Sequence, residues 1–212
     1  MPFSREAIIE SIKGSLEVGK PRRFKQSVEL IVVLSGLDLK SQEARLREVV
    51  ILPRGVGRAQ RVCFVAEGDM LLEARKLGVE VYSRDDIQAL SKKDAKRVAE
   101  RCDWVLVRAD IMGVAGKVLG PALGPRGKAP IPVPPNANVR ELVDRYSRAV
   151  WVRVRNQPQI ACSIGTEDMN VEDLAENALT VLDLVESKLG PQRIGAIYIK
   201  RTMSPPVELK PL

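Results

Sequence analysis

The hydrophobic pattern of this 212-residue chain changes character twice, near residues 60 and 149. Outside these points apolar and polar residues alternate, as in residues 26–34, which is typical of strands with one buried face. Between them, continuous apolar runs at 62–65 and 104–107 are separated by helical segments. Apolar strands separated by helices indicate a parallel sheet with crossover connections. The sequence therefore predicts two different kinds of layered structure in one chain.

Neither outer segment carries enough elements to bury its own apolar face. The first supplies one helix and one or two strands; the last supplies a hairpin (residues 151–155 with 159–164), a long helix and a strand. We therefore predict a discontinuous α+β terminal domain from residues 1–59 and 149–212. Residues 60–148 are predicted to insert into it as a Rossmann-like, three-layer α/β domain, with the two chain crossings acting as a hinge.

The composition narrows the function classes. The chain has no histidine, which removes the commonest general base and metal ligand, so neither catalysis nor a cofactor or metal is expected. A net charge of +7 favours nucleic acid or another anionic partner. The chain has no apolar run long enough to span a membrane and no signal-peptide pattern, which predicts a cytoplasmic protein. The three cysteines lack zinc-site spacing and are interpreted as buried structural thiols.

Residues 111–140 contain five glycines and no aspartate or glutamate. Glycine lets a backbone approach a ligand closely, and the prolines of this stretch would stiffen a loop. Lys117, Arg126 and Lys128 are uncompensated cations in the local sequence. The stretch is therefore predicted to be a basic loop, and these three residues a secondary site for a polyanion.

A small nucleotide-binding α/β enzyme using the glycine-rich loop 113–128 is the alternative function. A phosphate loop needs serine or threonine directly after its lysine, but Val118 follows Lys117. The glycines also come late in the α/β block, whereas a dinucleotide fingerprint follows the first strand. A DNA-binding repressor is a third hypothesis, and the lack of a helix-turn-helix pattern speaks against it.

Three motifs, in order along nearly the whole chain, resemble those of one known family. They are the segment FKQSVEL at residues 24–30, the run GVAGKVLGPALGPRGKAPIP at 113–132 and the segment TMSP at 202–205. Together they are similar to the ribosomal protein L-one family, in an archaeal type of member. The resemblance implies a non-enzymatic protein of the large ribosomal subunit that is monomeric when free.

The resemblance also implies partners. The terminal domain would bind large-subunit ribosomal RNA at the mobile stalk, which is involved in release of tRNA from the exit site. In many members of the family it also binds a mimic of that RNA site in the protein's own mRNA and represses translation. The expected location is the ribosome, in the cytoplasm.

Carried over by motif, RNA contacts would come from the first strand and the C-terminal turn. These positions are Phe24, Lys25, Ser27, Glu29, Thr202, Met203 and Ser204. The family's typical residue at the last position is glycine, and serine would replace it poorly if the turn needs positive φ or close approach to RNA.

The residues themselves leave several roles open. Phe24 shares the parity of the core positions of its strand, so a place in the core competes with an RNA contact. Glu29 would form either a salt bridge to a neighbouring arginine or a base-edge contact. Arg153 and Arg155 are predicted to share one face of a strand and to add phosphate contacts to the same site. Because aromatic residues make up only 4% of the chain, sugar–phosphate recognition is expected to dominate over base stacking.

Overall fold

The computed structural model describes residues 4–210. Residues 1–3 and 211–212, which the predicted domain limits include, lie outside the described residues. No described helix is both long and apolar enough to cross a membrane. In chain order the helices and strands are α1 (Arg5–Glu17), β1 (Ser27–Leu34), β2 (Arg47–Ile51), β3 (Val62–Val65), α2 (Asp69–Lys76), β4 (Val81–Tyr82), α3 (Arg84–Ala89), α4 (Lys92–Arg101), β5 (Trp104–Arg108), α5 (Met112–Leu123), β6 (Pro130–Val133), α6 (Val139–Tyr146), β7 (Ala149–Arg153), β8 (Gln159–Thr166), α7 (Val171–Leu189), β9 (Ile194–Arg201) and β10 (Val207–Glu208).

The chain is a mixed α/β protein that divides into two compact units. One consists of Met1–Arg58 together with Arg148–Leu212, and the other of Ala59–Ser147. We call them the terminal unit and the inserted unit.

The terminal unit is built on a four-stranded antiparallel sheet of order β10-β9-β1-β8. Alternate residues of β1, beginning with Val28 and Leu30, are buried, because α1 and α7 pack together on this side of the sheet. The intervening residues of β1 are only half-buried. The predicted period-2 pattern of this strand therefore holds, although the strand begins at Ser27 rather than at Gln26.

Strand β7 pairs with β2, not with β8. The predicted hairpin between residues 151–155 and 159–164 is therefore wrong, apart from one isolated bridge between Val154 and Ile160. Strand β8 instead lies along β1. Proximity in the sequence favoured the hairpin, but β8 gains a longer ladder, over seven pairs of residues, beside the central strand.

The inserted unit contains a parallel sheet of order β4-β3-β5-β6. Both faces of β3 and β5 are buried. Cys63, Val65, Val105 and Val107 pack with α3, α4 and α5, which explains the continuous apolar runs seen in the sequence.

The glycine-rich run is a helix, not a loop. Residues 112–123 form α5, in which Ala115, Leu119, Ala122 and Leu123 are buried at helical spacing. Each glycine in a helix costs about 1 kcal/mol relative to alanine. Burial of the apolar face of α5 outweighs this cost, because packing supplies most of the stability of a helix in a protein. The predicted basic loop is therefore wrong over most of its length.

Two of the three cysteines are not thiols. Cys63 of β3 and Cys102, directly after α4, form a disulfide with a Cα–Cα distance of 5.8 Å. Cys162 is free and buried. Cysteines 39 residues apart give no pairing signal in a sequence. The pairing of β3 with β5, which begins two residues after Cys102, brings these two together.

Candidate nucleic-acid interface

The segment before β1 is basic and exposed. Lys20, Arg22, Arg23 and Lys25 all lie on the surface, and Lys25 pairs with Asp168 at 2.6 Å. The side chain of Phe24 is 51% exposed, so its parity with the core positions of β1 does not place it in the core. The irregular chain before Ser27 breaks the alternation that this parity assumed.

The turn of Thr202, Met203 and Ser204, called here the 202–204 turn, lies against the start of β1. The backbone N–H of Ser27 donates to Thr202 Oγ1 at 3.1 Å, and the N–H of Thr202 donates to the Ser27 carbonyl at 3.0 Å. Met203 projects from the turn and is 55% exposed. The structure thus brings together the first-strand and C-terminal positions selected from the sequence.

Gln26, which sequence reasoning passed over, holds this arrangement in place. The residue is 1% exposed, and its Oε1 accepts from the backbone N–H of Met203 at 3.0 Å. Its Nε2 and its backbone N–H both donate to the carboxylate of Glu167, at 3.1 and 2.9 Å. An amide at a core-parity position of a strand was the available signal, because buried polar groups need partners.

Arg201 supports the same network from the end of β9. Its Nη1 pairs with Glu167 Oε2 at 3.0 Å, and its Nη2 donates to the Val18 carbonyl at 2.6 Å, just after α1. Hydrogen bonding from the backbone N–H of Gln26 lowers the pKa of Glu167, and the neighbouring Arg201 lowers it further, against an opposing effect of desolvation. Glu167 is therefore held as a carboxylate that joins β1, β8 and β9.

Ser204 is built into the turn. The residue is 7% exposed, and its Oγ accepts from the backbone N–H of Arg201 at 2.9 Å. No non-glycine residue among those described has positive φ. Serine is therefore compatible with this turn, and its hydroxyl supplies a bond that glycine would lack.

Glu29 lies on the half-buried side of β1, 3.8 Å from Lys200 Nζ. The salt-bridge interpretation was therefore right in kind, but the partner is a lysine and not an arginine. Lys200 Nζ also donates to the Thr202 carbonyl at 2.9 Å. Lys200 therefore links Glu29 of β1 to the 202–204 turn.

The remaining predicted cations lie elsewhere. Arg153 ends β7, and Arg155 follows that strand in exposed chain. The register of β1 with β8 pairs Ser27 with Thr166 at the turn end, and Val33 with Gln159 at the other end. A strand of eight residues separates the two ends by about 23 Å. Arg153 and Arg155, on the far side of Gln159, do not join the 202–204 turn.

The three residues of the predicted secondary site lie in the inserted unit. Lys117 is exposed on α5. Arg126 forms an ion pair with Glu100. Lys128 Nζ donates to the carbonyls of Ala99 and Cys102 at 2.9 and 2.7 Å, at the carboxyl end of α4. Arg126 and Lys128 therefore bind acceptors in and next to α4, and they are not uncompensated cations.

The exposed part of the turn region combines cations, two apolar side chains and a rigid backbone turn. Such a surface suits a folded RNA, because cations neutralise phosphates while apolar and hydroxyl groups contact sugars and unstacked bases. We call Phe24, Lys25, Ser27, Thr202 and Met203 the turn surface.

Comparison with known proteins agrees with the three motifs. Residues 16–205 match the model of the ribosomal protein L1p/L10e family. The chain is 58% identical to large ribosomal subunit protein uL1 of Aeropyrum pernix, over 96% of this chain and 94% of the relative. It is 51% identical to the protein of the same name from Staphylothermus marinus, over 99% of both chains, and 49% identical to that from Hyperthermus butylicus, over 97% of both. This chain is therefore a member of the ribosomal protein L1p/L10e family.

Proposed function

We propose that the chain is a structural, non-enzymatic protein of the large ribosomal subunit and that its turn surface binds ribosomal RNA. The observation that carries the proposal is the hydrogen-bonded network of Gln26, Glu167 and Arg201 beside the exposed Met203. Hydrogen bonds from such a network restrain the geometry of the groups that they hold. The relatives' name, large ribosomal subunit protein, supports the same assignment.

Each group of the turn surface has a role in this proposal. Lys25 and the cations at residues 20–23 neutralise phosphates and give a salt-dependent contribution to affinity. Phe24 and Met203 offer apolar contact area to sugars and unstacked bases, and Thr202 and Ser27 offer hydroxyls to the 2′-OH groups that distinguish RNA from DNA. Binding then depends on shape and backbone more than on base edges.

The RNA partner we propose is the stalk region of large-subunit ribosomal RNA, where the protein assists release of tRNA from the exit site. A second RNA of the same shape, in the protein's own mRNA, would compete for the same turn surface and repress translation. We further propose that the terminal unit is the RNA-binding domain and that the inserted unit is a Rossmann-like domain. Replacing residues 60–148 by a short linker tests this division, because the turn surface lies wholly outside them. A folded terminal unit that loses more than about 100-fold in affinity contradicts it.

The test of the function is a filter-binding comparison of a stalk rRNA fragment, duplex DNA of equal length and ATP. We expect the rRNA fragment to bind far more tightly than the DNA, and ATP not to bind. The alternative of a nucleotide-binding enzyme needs a glycine-rich phosphate loop at residues 113–128. Residues 112–123 form a helix instead, which speaks against it. Tight ATP binding, or equal affinity for rRNA and DNA, would overturn the proposal.

A further inference from the structure

The two-stranded ribbon β2–β7 has one buried face and one outer face. Val50, Val150 and Val152 fill the buried face. The outer face carries Arg47 directly opposite Arg153, and next to them Val49 opposite Trp151. On this outer face Arg47 is exposed, whereas Val49, Trp151 and Arg153 are half-buried.

Two further arginines lie next to this end of the ribbon. The backbone N–H of Val154 donates to the Leu46 carbonyl at 3.1 Å, which extends the antiparallel pairing beyond the strands. Arg45 ends a short 3-10 helix (Glu43–Arg45) just before β2, Arg155 follows β7, and both are exposed. One facing pair of arginines and two further arginines therefore lie at this end of the ribbon.

Trp151 orders the inner pair. The guanidinium carbon of Arg47 lies 4.8 Å from the centre of the Trp151 ring, and that of Arg153 lies 5.9 Å from it. Cation–π contacts of this kind restrain a guanidinium without using its N–H groups as hydrogen-bond donors. The acidic residue of the ribbon, Glu48, has the opposite parity and pairs with Lys188 at 2.8 Å.

Arg47 and Arg153 face each other across the two strands, and the exposed Arg45 and Arg155 lie at the same end of the ribbon. This concentration of positive charge attracts a polyanion. Phosphate groups accept paired N–H donors from arginine, and bases stack on guanidinium planes and on tryptophan. RNA supplies both phosphates and bases that can stack, whereas an acidic protein surface supplies anionic acceptors but no bases.

We propose that the outer face of the β2–β7 ribbon, defined by Arg45, Arg47, Trp151, Arg153 and Arg155, is a second RNA-binding surface. It lies toward the end of β1 that is about 23 Å from the 202–204 turn. The inference does not depend on the identity of the RNA at the turn surface. An RNA that reaches both surfaces extends along the central strand of the terminal unit.

The test measures the salt dependence of binding to poly(U), an unstructured RNA, and to the stalk rRNA fragment. The variant Arg45→Gln/Arg47→Gln/Arg155→Gln is compared with Lys92→Gln/Lys93→Gln/Lys96→Gln, which removes the same charge from exposed positions of α4. Three lost phosphate contacts should flatten the slope of log affinity against log salt for poly(U) by about two. The lysine variant should keep the slope of the parent. Equal slopes for the two variants would overturn the proposal.

Tryptophan fluorescence provides an independent measurement. Adding poly(U) should change the emission of the parent protein, and Trp151→Phe should abolish this change, because Trp104 is buried in the inserted unit. A change that persists in Trp151→Phe, or no change in the parent, contradicts the proposal. A parent that shows no preference for the stalk fragment would refute the proposed function, while the poly(U) slope would still decide whether the ribbon binds RNA.

Discussion

The side-chain oxygen of Gln26 accepts a hydrogen bond from the backbone N–H of Met203, a residue 177 positions later in the chain. This contact sets the height of the 202–204 turn above the sheet, and the amide that makes it is itself fixed by Glu167. The backbone of the exposed Met203 is therefore held by an amide that is itself buried.

Gln26→Ala should weaken binding to the stalk rRNA fragment although the residue is buried. It leaves the backbone N–H of Met203 without this acceptor, at a cost of about 1–3 kcal/mol for an unpaired polar group, and removes one of the two donors to Glu167 Oε2, which keeps Arg201 Nη1. Filter binding and thermal unfolding measure the two effects. Gln157→Ala, at an exposed glutamine of the same unit, is the control. Unchanged RNA affinity in a destabilised Gln26→Ala protein would show that the turn keeps its position without the amide.

Met203→Ala should weaken rRNA binding at least several-fold and leave the melting temperature almost unchanged, because the side chain is 55% exposed in the free protein. Leu72→Ala is a matched control, since Leu72 is 53% exposed but lies in the inserted unit. If both variants bind as the parent does, Met203 is not part of the RNA-binding surface.

Ser204→Gly, although it restores the residue typical of the family, should destabilise this protein. The change removes the hydroxyl that accepts from the N–H of Arg201 and leaves a buried donor unpaired, at a cost of about 1–3 kcal/mol. Urea unfolding measures the loss of stability. Ser187→Gly is not a suitable control, because a glycine inside α7 would itself destabilise the helix. The exposed Ser35, which follows β1, provides a better comparison as Ser35→Gly. A Ser204→Gly protein as stable as its parent would contradict the role given to the hydroxyl.

Glu167 should make the stability of the protein depend on pH in the acid range. Its pKa is lowered from the ordinary value of 4.5 when the protein folds. The folded state therefore binds the proton less well than the unfolded state, so the stabilisation is present above pH 4.5 and is lost as the pH falls through the lowered pKa. Melting temperatures between pH 7 and pH 3 should fall less in Glu167→Gln than in the parent. The exposed Glu172→Gln is the control; an equal fall in both variants would exclude a special role for Glu167.

The disulfide predicts a particular pattern of thiol reactivity. Burial raises the pKa of Cys162 to about 12, so the native protein should react with no thiol reagent at neutral pH. Unfolding should expose one thiol, and unfolding with reductant all three. Cys63→Ala/Cys102→Ala should lower the stability of the inserted unit by about 4 kcal/mol, for a link that closes 39 residues. Three reactive thiols without reductant would contradict the bond.

Local patterns predicted much of this fold. Alternation located β1, continuous apolar runs located β3 and β5, and helical spacing located α7, because each reflects burial of one or two faces. The glycines and prolines of the run at 113–132 predicted a loop, but its four buried residues have helical spacing and it forms α5 over most of its length.

The site was predictable only in part. The motifs selected Phe24, Thr202 and Met203, which the fold brings to one surface. They could not select Gln26 or the partners of Glu167, since these contacts join residues far apart in the chain. Strand pairing likewise decided where the arginines went. Once β7 paired with β2, Arg153 belonged to a different surface from the 202–204 turn.

The strand order of the terminal unit has a consequence for how the chain is made. Strand β1, near the beginning, is hydrogen-bonded on one side to β8 and on the other to β9, both from the last quarter of the sequence. During synthesis β1 therefore has neither of its neighbouring strands until late in translation. The contiguous inserted unit, in contrast, has all its own strands available before β8 and β9 are made. The turn surface comes into existence only when residues 201–204 have been added. Under the proposed function, a nascent chain therefore cannot bind RNA at this surface before its own translation is nearly finished.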